Sequence, residues 1–286
     1  MTAATSPPDL SAPSVPGARA EHAARPRFGD LMRSEWTKLR SVRSTAWSLI
    51  TFVVVTVGFT ALITWLIAAN WAQANPEDRA ATVADPVATI LGTGLYFGQL
   101  VICVLGVLAI SSEYSTGMIR SSLLAVPRRL PMLAAKGAVF ALLVLAVSEL
   151  VAFGSFFAGS AILRSHAPVA LGDPGVARAV IGAGLYLAVL GLFSIAIGTV
   201  ARHTAGAIST AIGVVFVLPI IASFLPAGWG QHVHDYLPSV AGAMIAQASQ
   251  GADQVLSPWQ GFGVFCAWTA LLLAAAFYLL RRRDAG

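Results

Sequence analysis

A chain of 286 residues with 57% hydrophobic residues, only 11% charged residues and a mean hydropathy of +0.75 has too few charges to cover a soluble surface, where roughly 25% is usual. A net charge of +5 and a pI near 9.7 raise nucleic acid as a partner, but the lysines and arginines cluster beside the ends of long apolar blocks and so report membrane topology instead. Cys103 and Cys266 lie within those blocks and cannot supply a disulfide framework or a four-ligand metal site.

Residues 1–26 hold Pro7, Pro8, Pro13, Pro16 and Pro26 among Ala, Ser and Thr. With no apolar h-region this stretch reads as a disordered tail rather than a cleavable signal peptide. An amphipathic helix is expected over residues 27–45. Phe28, Leu31, Met32, Trp36 and Leu39 share one face, and Asp30, Arg33, Ser34, Lys38 and Ser41 fill the remaining arc. Basic residues opposite a tryptophan place such a helix in the membrane interface. It is either a plain juxtamembrane anchor or a mechanical link to a soluble partner.

Runs of about 20 apolar residues, the length that crosses a bilayer, predict six spans at 46–69, 87–110, 136–163, 178–201, 207–226 and 260–280. The fold class is therefore all-α, a six-helix transmembrane domain over 46–281. Pro219 and Pro226 are expected to kink or end the fifth span. Fifteen of the 18 lysines and arginines fall on the side of the amino terminus, and the positive-inside rule makes that side cytoplasmic, with both termini on it. Gly94 with Gly98, Gly154 with Ala158, and Ser155 with Gly159 stand at helix-contact spacing.

Between spans two and three the chain reads SSEYSTGMIRSSLLAVPRR from Ser111 to Arg129. Ser111 or Ser112 can cap a short helix that opens with Glu113 and Tyr114. Gly117 loosens it, and Pro127 stops it ahead of Arg128 and Arg129. Such a helix can dock in a groove of a soluble partner. The residues alone equally allow a capped connecting loop whose charges set topology.

The pattern Glu113-Tyr114-x-x-Gly117 with Arg120, Leu123, Leu124, Pro127, Arg128 and Lys136 resembles the loop of type-two ATP-binding-cassette (ABC) exporter permeases. The opening Ser34-Glu35-Trp36-Thr37-Lys38-Leu39-Arg40-Ser41 resembles actinobacterial members of that family. The resemblance implies that residues 28–43, with Glu35, Trp36 and Lys38, form a connecting helix. It implies that residues 111–129 hold a coupling helix, with Glu113, Tyr114, Gly117, Arg120, Arg128 and Arg129 as the residues that meet an ATPase. It further implies two permease copies working with two cytoplasmic ATPase subunits in the plasma membrane, and export of a drug, lipid or other hydrophobic or amphipathic substrate. No cofactor is expected on this chain, because ATP and magnesium would sit on the partner. The family also carries an apolar segment before its last span that often re-enters the membrane, a position held here by residues 227–258.

The remaining motifs are sparse. No G-x-x-x-x-G-K-[ST] phosphate loop occurs in the sequence, so this stretch of chain supplies no such ATP site. Glu149 is the one acidic residue near the middle of a span, where insertion of a charge costs roughly 2.5–3.5 kcal/mol. It is read as a protonated, hydrogen-bonded structural group, as part of a substrate cavity or dimer interface, or as a proton relay. His232, His234 and Asp235 are too few to define a metal site. No intramembrane-protease motif is present. A proton-coupled secondary transporter and a non-transporting sensor or assembly factor stand as the alternative functions.

Overall fold

The computed structural model describes residues 27–41, 43–115, 129–226, 228–251 and 254–282. All regular structure among them is helical. An amino-terminal helix, Phe28–Ser41, leads into the first of six helices long and apolar enough to cross a membrane, at Arg43–Ala69, Pro86–Ser112, Pro131–Leu163, Val176–Ala201, Thr204–Ala222 and Pro258–Leu279.

These helices are built inside out relative to a soluble bundle. On span one the buried residues Phe52, Thr56, Thr60 and Thr64 recur every four positions, whereas Trp47, Ile50, Val54, Leu62 and Trp65 face outward. Hydroxyls turned inward and large apolar side chains turned outward fit a hydrocarbon solvent, which makes no demand for polar surface.

Span four is the hub of the bundle. It packs against spans two, three and six, and 78% of its most apolar stretch is buried against 17% for span six. Its glycines make the close packing: a methyl at Gly191 would strike the Phe140 ring, and one at Gly198 would strike Ile110. Of the small-residue pairs expected from sequence, Gly94 and Gly98 press on Thr60 and Thr56 of span one and Gly159 presses on Ile90, but Gly154 has no such neighbour.

Several boundaries differ from the sequence expectation. Span two does not stop at Ile110; its helix runs on among the described residues as Pro86–Ser115. Ser111 and Ser112 are therefore inside a helix and not at the start of one. The third helix opens at Arg129, and Pro131 is accommodated in its first turn, where a missing N–H costs nothing. The loop between spans one and two contains an unanticipated helix, Pro76–Ala84, with proline at its start and Glu77 and Asp78 in its first turn.

Span five passes through Pro219 instead of breaking there. A π-helical turn, Gly213–Val217, precedes the proline, with the Leu218 N–H donating to the Gly213 carbonyl. Pro219 has no N–H for the carbonyl four residues back, that of Val215, and the Ser239 hydroxyl donates to that carbonyl at 2.8 Å. Ser239 belongs to the segment between spans five and six. There the helices Trp229–Asp235 and Pro238–Ala243 and a 3-10 turn, Met244–Ala246, fold back into the bundle. Ala241, Met244 and Ile245 are buried. The Ile245 carbonyl lies against Gly182, and Gly242 lies against Tyr186 and Phe265. At 1.5 Å per residue, Gly182 and Tyr186 are about 9 and 15 Å from the start of span four at Val176.

Candidate functional site

The amino-terminal helix is joined to the bundle through one buried carboxylate. Among the described residues Glu35 is 2% exposed, with Lys38 Nζ 2.7 Å from Oε1 and Lys136 Nζ 2.8 Å from Oε2. Lys38 is one turn away on the same helix, and Lys136 is in the first turns of span three. Burial pushes the Glu35 carboxyl upward, but the charge and hydrogen bond of Lys136, followed by those of Lys38, outweigh it and hold the group below its ordinary value of 4.5. Glu35 lies in the centre of the arc formed by Leu31, Met32 and Leu39, so a carboxylate on an otherwise apolar face was the signal for a partner across the contact.

The residues expected to meet an ATPase lie near this junction in the chain. Glu113 and Tyr114 are on the helix of span two, and Arg129 is on the helix of span three. Gly117, Arg120 and Arg128 lie outside the described residues. Trp36 is on the outer side of the amino-terminal helix, 43% exposed.

In the bundle, Glu149 Oε2 is buried with no hydrogen-bond partner among the described residues. The carboxylate rests against span four, where a methyl at Gly184 would collide with it. A void of about 10 Å³, room for roughly one water molecule, lies among spans one to four, lined mostly by apolar side chains such as Leu91, Leu95 and Leu187 together with Thr56, Thr60, Ser148 and Ser155. The hydroxyls of these last four lack partners among the described residues. Thr64, Ser194, Thr199 and Thr269 by contrast donate to carbonyls on their own helices. Four hydroxyls of spans one and three thus lie inside the bundle without partners among the described residues.

Two further polar features were not anticipated. The Tyr186 hydroxyl donates to Gln99 Oε1 at 2.6 Å, linking spans four and two in the core. At the end of the bundle away from the amino-terminal helix, a cleft of about 720 Å³ lies between spans one and two and the helix Pro76–Ala84, lined by both Trp71 and Ile67 and by Asp78, Arg79 and Asp85. Asp235 of the histidine cluster is 2% exposed and accepts from the Gln231 side chain at 3.1 Å and the Val255 N–H at 3.0 Å. Its role is to fasten the segment between spans five and six, and no cluster of three metal-binding side chains is present among the described residues.

The sequence profile of one family, described as ABC-2 family transporter protein, matches residues 39–285. No curated protein matches the chain significantly.

Proposed function

Because the chain belongs to the ABC-2 family of transporter proteins and is a multi-pass membrane permease of that kind, we propose that it exports a hydrophobic or amphipathic substrate, such as a drug or lipid. Two copies, or one copy with a similar subunit, work with a cytoplasmic ATPase that binds ATP and magnesium. In this reading both termini are cytoplasmic, residues 28–43 are the connecting helix, and residues 111–129 carry the coupling helix, with Glu113, Tyr114, Gly117, Arg120, Arg128 and Arg129 facing the ATPase.

The observation that supports this assignment best is the Glu35–Lys136 ion pair. It fixes the amino-terminal helix to the first turns of span three, directly after the segment that would receive the push. A displacement of that segment then moves spans two and three and the amino-terminal helix as one body. The amphipathic cleft at the opposite end suits a substrate with apolar and polar parts.

A second reading, transport driven by protons, draws on the buried Glu149 Oε2, without a hydrogen-bond partner among the described residues. The two separate in inside-out vesicles that contain the permease and its ATPase. Accumulation of a lipophilic dye is expected to require ATP and to survive collapse of the proton gradient. Accumulation that follows the gradient without ATP and disappears in Glu149→Gln would replace the first reading with the second.

A further inference from the structure

Beside the Glu35–Lys136 junction, a groove of about 390 Å³ opens between the amino-terminal helix and span three. One wall is Met32, Arg33 and Trp36; the other is Val139, Leu142, Leu143 and Ala146. The lining is almost wholly apolar, and its size falls in the range of ligand sites, about 300–1,000 Å³. Trp36 and Leu142 remain 43% and 58% exposed. Arg33 is the one residue on the lining that carries a charge; it contributes its stem to the apolar wall, and its guanidinium makes no ion pair among the described residues.

The acidic residues near it are already engaged. Glu35 is held by Lys38 and Lys136, and Asp30 Oδ2 accepts from the Arg27 N–H at the start of the helix. The groove therefore presents an apolar trough with a cation beside it, at the depth where an amphipathic helix with an outward tryptophan lies in a bilayer.

We propose that this groove is a binding site for an anionic phospholipid. One acyl chain lies along Met32, Trp36, Leu142 and Ala146, and the headgroup phosphate pairs with Arg33. A guanidinium suits this task because its planar donors engage phosphate bidentately while its stem packs on apolar surface. A purely apolar occupant would leave Arg33 unpaired, and a soluble anion would leave the trough empty. An anionic lipid satisfies both and is concentrated in the membrane the protein occupies. Bound there, it would brace the angle between the amino-terminal helix and span three from outside, as Glu35 and Lys136 do from inside.

The test is native mass spectrometry of detergent-purified, delipidated protein titrated with phosphatidylglycerol and phosphatidylethanolamine of identical chains. The wild type is expected to retain phosphatidylglycerol roughly fivefold better, the scale of one basic residue at a membrane surface. Arg33→Gln should abolish that preference, Arg33→Lys should keep part of it, and Leu142→Trp, which fills the trough, should reduce retention of both lipids. Should Leu142→Trp not elute as the wild type does on size exclusion, Ala146→Leu takes its place. Equal retention of the two lipids by the wild type overturns the proposal, as does a preference that survives Arg33→Gln. A dimer that Leu142→Trp splits while lipid retention is unchanged would assign the groove to a second copy and overturn it as well.

Discussion

Removing one partner of a buried ion pair leaves the other charge in a medium that solvates it poorly, which typically costs about 3–5 kcal/mol. Lys136→Met would leave the buried Glu35 carboxylate with Lys38 alone, a side chain that is 35% exposed. We expect a loss of about 3 kcal/mol, seen as a lower unfolding temperature in detergent, and a smaller loss when Glu35→Leu is added to it. The sign of the pH effect follows from the lowered pKa of Glu35. Its contribution is complete above the unfolded value near 4.5 and is lost as pH falls through the lower folded value. The stability gap between wild type and Glu35→Gln should therefore be full at pH 7 and close below about pH 4.5; a gap unchanged at low pH would contradict the pairing. Tyr186→Phe should cost about 1 kcal/mol by orphaning Gln99, on the scale of interhelical hydrogen bonds in membranes. An added Gln99→Leu should recover part of that loss.

At the scale of elements, span five and the segment that follows it depend on each other. Pro219 frees the Val215 carbonyl, and Ser239 occupies it. Ser239→Ala should destabilise the protein by about 1 kcal/mol, and the same change in a Pro219→Ala background, where a main-chain N–H is restored, should cost measurably less. Equal costs in the two backgrounds, measured by thermal unfolding, would show that the proline is not the reason for the contact.

The elements themselves were largely legible in the sequence. Apolar blocks of span length located all six spans, and 3.6-residue periodicity located the amino-terminal helix, because both depend on properties summed over many residues. What escaped depended on single residues acting across the fold. Pro219 reads locally as a kink or an end, but the group that takes up the freed carbonyl, Ser239, lies 20 positions later. Glu149 stood out by its charge, but Gln99, Thr56 and Ser148 are ordinary in composition and gain meaning only from what the bundle places beside them. Glu35 carries the family resemblance, and its place in the centre of an apolar face is equally visible in the sequence.

For the whole molecule, the distribution of polarity is the governing fact. Spans one and three bring hydroxyls to the inside, and the outer surface carries large apolar side chains such as Leu150 and Phe224, 76% and 83% exposed. Span four, packed on nearly every side, is the natural fixed axis. Spans one, five and six, with much of their surface uncovered, are free to face lipid or a second copy. In the proposed function, the junction of the amino-terminal helix with span three links the expected ATPase contact to this bundle. The most direct test is to purify the tagged chain from its native membrane in mild detergent and assay the co-purifying material for ATPase activity, beside a Glu113→Ala/Arg120→Ala double variant. The account predicts a stoichiometric ATPase with the wild type and its loss with a variant that still inserts normally. A chain that purifies alone, or a double variant that retains the ATPase in full, would contradict it.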